Sequence, residues 1–391
     1  MLPLSYPLKN VVARPARSAL TVAVIALVVV ACSLFLGLLS SLRRTVVSTG
    51  NPLNLVVLRK GSDNDGSSQL SREAYFAVRF LPGVVHNAAG WPLASPELVV
   101  QPFFLTRDGG RDNVLVRGVE PVALEVHDGV HLVEGRFFRP RMREALVGRG
   151  VLGRYQGAAL GQTLRFGRGE WRVVGIFESG GSSFESEVWV DVDDLAEDAR
   201  RVFPYSGVRL RARDEAALAA LKRRIDADPR YAIEATPEPA YYEKQGEASR
   251  SLYVLVVAVA VLAGVGAGFG SANTMYAAVQ ARIAEIGTLR ALGFSRASIL
   301  LSFQTEALAL AAVGFVAGAL LSLGLAALLR VWLGGIAFGS TTFTTNVVTL
   351  SIGGRDLALS LGIALAIGLL GGFGPAWRAA HLRPIEALRR G

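Results

Sequence analysis

The sequence predicts an α-helical membrane protein with four transmembrane helices and a large α+β extracytoplasmic domain inserted between the first and second. Three observations predict it. Apolar residues make up 51% of the 391 and charged residues only 19%, and the apolar ones cluster, the pattern of membrane spans joined to a soluble part. Uncharged runs of membrane length occupy 18–42, 251–281, 307–329 and 357–377. Basic residues flank these runs asymmetrically, which sets an orientation.

Residues 1–17, with Lys9, Arg14 and Arg17, read as a cytoplasmic amphipathic segment. The first span, 18–42, is 25 residues without a charge, about 37 Å as a helix against a hydrocarbon core of about 30 Å. That run is far longer than a secretory leader's core, and LFLGLLSSLRR offers no A-x-A cleavage site, so the span reads as a retained anchor. Arg282, Arg290 and Arg296 lie between the second and third spans, and Arg378, Arg383, Arg389 and Arg390 follow the fourth, whereas 330–356 holds Arg355 with Arg330 at its edge. Short basic flanks resist translocation, so both termini and the 279–298 segment are expected in the cytoplasm. Arg43 and Arg44 dissent, but they border a long domain, which crosses largely regardless of charge.

The insert, 43–250, holds most of the charge. NPLNLVVLRK reads as a strand, GSDNDGSS as a loop, and Ser71 as the N-cap of a short helix ended by Pro82 and Gly83. ELVVQPFFLT and NVLVRGV look like further strands. Glycine-punctuated β runs around 144–191 predict a small β subdomain. Val208, Leu210 and Ala212 alternate with Arg209, Arg211 and Arg213; Asp214 can cap a helix bearing Leu218, Leu221 and Ile225 on one face; Tyr231 to Ala235 reads as a returning strand. This is a β-α-β unit. The second span with a stalk follows at 251–278, then a cytoplasmic helix within 279–298, the third span at 299–329, an extracytoplasmic loop at 330–356, the fourth span at 357–377 and a cytoplasmic tail at 378–391.

In the 279–298 segment, Val279, Ile283, Ile286 and Leu289 form one stripe, with Gln280, Arg282, Glu285 and Arg290 off it. Gly293 suits a left-handed cap, and Ser295 can begin the next helix. Such a helix either lies at the lipid surface or docks into a groove of a cytoplasmic protein. Glu306, ten residues past Arg296, sits about 15 Å along a helix, shallow enough to pair with an arginine or a neighbouring helix. Gly264 with Gly268, Gly266 with Gly270, and Gly314 with Gly318 are G-x-x-x-G pairs, suited to close helix packing within one chain or between two.

Catalytic chemistry is missing from the pattern. No lysine follows a glycine, so the chain has no G-x-x-x-x-G-K-[ST] loop. His127 and His131 have i,i+4 spacing, yet Gly129 between them argues against a helix, and neither H-E-x-x-H nor a third ligand accompanies them, so no metal site is expected. GGSSF lacks the second glycine of a G-x-S-x-G elbow. Cys32 is the single cysteine, which excludes a disulfide framework. The net charge of +9 is spread without a basic cluster interleaved with aromatics, so nucleic acid is not an expected partner.

VQARIAEIGTLRALGFSRASILLSFQTEALALAAVGFVAG resembles the second and third spans of the FtsX/MacB-type permeases of ABC transporters, the mechanotransmission type. GPAWRAAHLRPIEALRR is similar to that family's C-terminal ending at Pro375, Arg378, Ala379, Ala380, Pro384, Ile385, Glu386, Ala387 and Leu388. LKNVVARPARSALT is similar to its N-terminal cytoplasmic helix. VRGVEP, EALVGRGV and GEWRVVGIFESGG resemble its extracytoplasmic domain.

The resemblance implies a four-span subunit like LolC, LolE or DevC in the bacterial inner membrane. It implies pairing with a second permease copy or paralogue and with a cytoplasmic ABC ATPase that binds ATP and Mg. Arg282, Glu285, Ile286, Gly287 and Arg290 then lie in the helix that contacts the ATPase. It leaves room for a periplasmic adaptor or outer-membrane component. Export or extraction of an amphiphile is the function implied, with FtsX-like relay of a signal to a cell-wall hydrolase as the alternative. The chain departs from the pattern in its large Trp377 and in Thr288-Leu289-Arg290 after Gly287.

Overall fold

The computed structural model describes residues 15–47, 50–247, 250–333, 336–339, 345–348 and 350–382. Most of the N-terminal segment, 1–14, and the tail beyond 382, including the Pro384 to Leu388 motif, lie outside the described residues. In chain order, helix α1 (Pro15–Val47) leads to strand β1 (Asn54–Arg59), helix α2 (Arg72–Arg79), strands β2 (Ala94–Val100), β3 (Phe103–Leu105), β4 (Arg111–Asn113) and β5 (Leu115–Val119), and the short helix α3 (Ala123–Val126). Then come β6 (His131–Gly135), β7 (Glu144–Gly148), β8 (Thr163–Phe166), β9 (Gly169–Glu178), β10 (Glu187–Asp191), α4 (Val192–Asp198), β11 (Gly207–Arg211), α5 (Glu215–Asp226), β12 (Ile233–Pro237) and α6 (Glu238–Glu247). The chain ends with α7 (Arg250–Gln280), α8 (Ile283–Ala291), α9 (Arg296–Leu333), β13 (Ile336–Gly339), β14 (Thr345–Val348) and α10 (Gly354–Ala380). It divides into two compact units, one of α1 and α7 to α10, the other of the inserted domain with β13 and β14.

Four helices in the first unit, α1, α7, α9 and α10, are long and apolar enough to cross a membrane. Small residues bring three of them together. A Cβ at Gly314 of α9 would meet Ile25 of α1 at 2.8 Å, one at Gly318 would meet Val29 at 2.7 Å, and one at Gly372 of α10 would meet Ala307 at 2.6 Å. Ile25, Val29, Cys32, Ala311, Ala364 and Ile367 pack there as one cluster. Polar groups fasten α1 to α10: the Ser33 hydroxyl donates to Ser360 at 2.9 Å, and Ser40 donates to Asp356 at 2.9 Å. Asp356 also accepts from the Gly353 backbone N–H at 2.8 Å, closing the first turn of α10.

The inserted domain is a ten-stranded sheet in the order β12-β1-β11-β2-β5-β10-β7-β9-β6, with β8 paired to β9. Both faces are covered, so its central strands read as near-continuous apolar runs. In β1, Leu55 and Val57 join the core under α2 and α5, while Val56 and Leu58 join a second core with Trp189, Tyr241 and Tyr242. The β-α-β unit is present with one addition: β1 lies between β11 and β12, antiparallel to both. Asp214 caps α5 by accepting from the Ala217 N–H at 2.7 Å, and Ser71 caps α2 by accepting from Ala74 at 3.3 Å.

Two expectations are corrected. The β runs around 144–191 do not form a separate small subdomain, because β7 and β10 pair with each other and β10 pairs in parallel with β5, which continues the main sheet. Trp171 and Val173 share one core with Leu55 and Val57. Glycine punctuation marks where strands end, but not which distant strand they join. The 330–356 stretch is not merely a loop, since β13 and β14 pair in antiparallel register from Ile336↔Val348 to Gly339↔Thr345.

Candidate functional site

The charged stretch between the second and third spans is a break and a short helix. α7 ends at Gln280, and Arg282 precedes α8 with its carbonyl accepting from Ile286 at 2.9 Å. Val279 therefore belongs to the end of α7 and not to the short helix, but it faces the same way as expected. With Met275, Ile286, Ile299, Phe303, Ala376 and Ala379 it forms one buried cluster. Gly287 is buried as well, whereas Glu285, Thr288 and Leu292 are exposed. Gly293 adopts φ 91°, the left-handed conformation expected of a helix-ending glycine. Ser295 accepts from the Ser298 N–H at 3.2 Å and opens α9. The Arg290 guanidinium donates to the Phe294 carbonyl at 3.0 Å, which fastens α8 to the turn that leads into α9.

Arg282 and Glu306 meet beneath this helix. Their side chains are 6% and 7% exposed, and Nη1 lies 2.9 Å from Oε2. Beside them is a cavity of about 10 Å³ lined by Arg282, Glu285, Ile286, Leu289, Ile299 and Phe303, room for one water. An ion pair this dry is sensitive to removal of either partner, because the remaining charge is then buried alone. The pair ties the start of α8 to the first turns of α9, so the turn between spans is held at a fixed angle.

The three glycine pairs separate by environment. Gly314 and Gly318 pack on α1 within the chain, whereas among the described residues no atom lies within 4 Å of a Cβ placed at Gly264, Gly266 or Gly268, and Gly270 has only Val24 at 3.8 Å. Gly318→Leu is expected to lower the melting temperature of the purified chain in detergent through overpacking worth roughly 1–3 kcal/mol. Gly266→Leu should leave it unchanged; equal effects of the two would contradict this division.

Sequence reasoning missed a second cluster, in the inserted domain. Arg209, on the supposedly polar face of β11, is fully buried, and its guanidinium donates to Asp65 at 2.7 and 3.0 Å and lies 3.0 Å from Glu97. Arg117 donates to Glu97 at 2.7 Å and to both Glu187 oxygens at 2.6 and 2.7 Å. His127 Nε2 lies 2.6 Å from Glu97, and Tyr241 accepts from the Asp65 N–H at 3.1 Å. Burial pushes the Glu97 carboxyl up, but Arg209, then His127 and Arg117, more than offset it and hold it well below the ordinary carboxylate range. His131 is exposed on β6, so the two histidines share no helix face. The signal available in advance was weak: an arginine inside an apolar alternation, with its carboxylates 112 and 144 residues away in sequence.

Comparison with known proteins follows from this architecture. The MacB-like periplasmic core domain profile matches residues 18–228, and the FtsX-like permease C-terminal profile matches 257–384. A macrolide export ATP-binding/permease protein MacB from Bradyrhizobium diazoefficiens is 30% identical over 298 residues, 71% of this chain and 43% of the relative. Another MacB, from Nitrobacter winogradskyi, is 36% identical over 201 residues, 51% of this chain and 28% of the relative. The pyoverdine export ATP-binding/permease protein PvdT from Pseudomonas savastanoi pv. phaseolicola is 28% identical over 249 residues, 59% and 34% of the two chains. The chain thus spans less than half the length of these curated relatives. Among solved structures, the periplasmic region of MacB from Actinobacillus actinomycetemcomitans aligns with TM-score 0.38 and 10% identity, covering 50% of this chain and 93% of that one.

Proposed function

The chain belongs to the FtsX/MacB-type permeases, and from that premise we propose that it is the permease subunit of an ABC transporter. In this reading it couples ATP hydrolysis by a separate ATPase subunit to movement of its extracytoplasmic domain, for export or extraction of an amphiphilic substrate. One observation carries the proposal. α8 is bedded by Ile286 and Gly287 on the ends of the spans and pinned by Arg282–Glu306, while the side bearing Glu285 faces outward. A short helix held this firmly by its apolar side suits docking into a groove of a soluble partner, so that force on the groove reaches α7 and α9.

The reading assigns ATP and Mg to the ATPase, and relatives named as ATP-binding/permease proteins support the involvement of such a component. Relatives named for macrolide export and for pyoverdine export support a transported substrate over pure signal relay. The open surroundings of Gly264 and Gly266 on α7 support a second permease copy or paralogue there, as does the low burial of that span, 11% against 33–39% for the others. An extracytoplasmic adaptor or outer-membrane component completes the proposed assembly. The proposed setting is the bacterial inner membrane, and the distribution of arginines supports cytoplasmic termini there.

The test is affinity purification from the native membrane. The wild-type chain is expected to recover a P-loop ATPase. Glu285→Arg, on the exposed side of α8, is expected to cut that recovery about tenfold, the effect of roughly 1.4 kcal/mol at an interface, at a temperature where the melting curve shows the variant still folded. No ATPase with the wild type, or equal recovery with the variant, would sink the reading. Recovery of the ATPase with a wall hydrolase alone would favour the relay.

A further inference from the structure

The β3–β4 hairpin of the inserted domain has an unusual outer face. Phe104 points inward, but its neighbours Phe103 and Leu105 are 64% and 48% exposed, where a two-stranded hairpin ordinarily places polar residues. Beneath them the rings form a column: Phe104 stacks on Phe166 at 5.2 Å between centroids, and Phe166 stacks on Trp171 at 5.1 Å with planes 2° apart. The β8–β9 turn forms the opposite lip, and between the lips is a cleft of about 470 Å³. That is the size of a small-molecule site, and the buried ring column holds its walls in place.

Charge marks the rim. Arg165 is paired with Glu170 at 2.9 Å, and the Arg168 backbone N–H donates to Asp198 at 3.2 Å, but the guanidiniums of Arg111, opposite Leu105 in the hairpin register, and of Arg168 in the facing turn meet no carboxylate among the described residues. Two guanidiniums beside the exposed Phe103 and Leu105 complement a ligand with an apolar body and an anionic end.

We propose that this cleft binds an amphiphile with an anionic head group, carboxylate or phosphate. The apolar chain lies along the exposed Phe103 and Leu105, and the head group is held by Arg111 and Arg168. The proposal deepens the export reading, on which it rests for the ligand's role as cargo, by naming a substrate chemistry and where it is first held.

The test uses the full chain in phosphatidylcholine nanodiscs, without any ATPase, and a palmitate analogue bearing a diazirine in its chain. Photolysis is expected to give saturable adducts on peptides containing residues 103–111 and 165–170. Arg111→Gln with Arg168→Gln should lower that labelling roughly tenfold, as loss of two solvent-exposed ion pairs predicts. Phe103→Ser with Leu105→Ser should lower it as well. All four positions are exposed or at the rim, so the fold is expected to survive, and an unchanged melting temperature checks this.

Competition by dodecanoate alone identifies a carboxylate site, and by dodecyl phosphate alone a phosphate site; either supports the proposal, as does competition by both. Adducts confined to the membrane helices, labelling indifferent to the arginines, or competition by dodecanol as effective as by the anions would overturn it. Because no ATPase takes part, that failure would leave the proposed coupling through α8 to stand or fall on the recovery experiment.

Discussion

Replacing Glu97 with glutamine is expected to destabilise the inserted domain by about 3–5 kcal/mol, the cost of removing one partner from a buried charge cluster. For a domain of this size that corresponds to a fall in melting temperature of roughly 6–20 °C. Glu97 is fully buried and stands between Arg209, Arg117 and His127, so one neutralisation leaves both guanidiniums short of counter-charge in a dry site. Hydrogen exchange at β2, β5 and β11 in the full chain locates the effect, since these strands supply Glu97, Arg117 and Arg209.

The pH dependence has a definite sign. Glu97 is held below its ordinary value near 4.5, so the stability it contributes is present above that value and lost as the pH falls through the lower folded value. The wild-type domain should therefore lose stability below about pH 4.5 more steeply than Glu97→Gln, which has no such proton to take up. Parallel acid profiles, or a variant that melts with the wild type, would show that the cluster does not hold the sheet together.

Such a residue also shows where sequence reading stops. The spans were legible because a membrane-length apolar run needs no partner to be recognised, and caps were legible because Ser71, Asp214 and Gly293 act on backbone within a few residues of themselves. Arg209 was read as the polar side of a strand because nothing local announces that Asp65 and Glu97 will cover it. The same limit applies to β10, whose parallel partner β5 lies far off in sequence, Glu187 against Leu115. In the membrane unit, three similar glycine motifs were equally plausible as packing sites, and only neighbouring atoms distinguish Gly314 and Gly318, pressed on α1, from Gly264, Gly266 and Gly268. The Arg282–Glu306 pair was half legible: depth suggested an arginine for Glu306, but the break after α7 that aims Arg282 at it depends on three-dimensional placement.

Glu306→Ala is expected to produce the second large effect, a loss of about 3–5 kcal/mol from the helical unit, because Arg282 would remain buried with no counter-ion. Its measure is the melting temperature of the purified chain in detergent. The pair's net contribution is a separate matter, since an apolar replacement of similar volume commonly restores or exceeds the stability of a buried ion pair. Arg282→Met with Glu306→Leu should accordingly return the melting temperature to within about 1.5 kcal/mol of the wild type. If the pair only fills space, that double variant will also recover the ATPase as the wild type does. If its directional bond fixes how α8 leaves α7 and meets α9, the double variant will be stable yet poorly coupled, stimulating ATP hydrolysis by the recovered partner far less than the wild type. The structure favours the second outcome: Ile286 and Phe303 already supply an apolar bed, and a hydrogen-bonded ion pair specifies an angle that such a bed leaves free. A single Glu306→Ala variant with unchanged melting temperature would show instead that the two charges are not buried against each other.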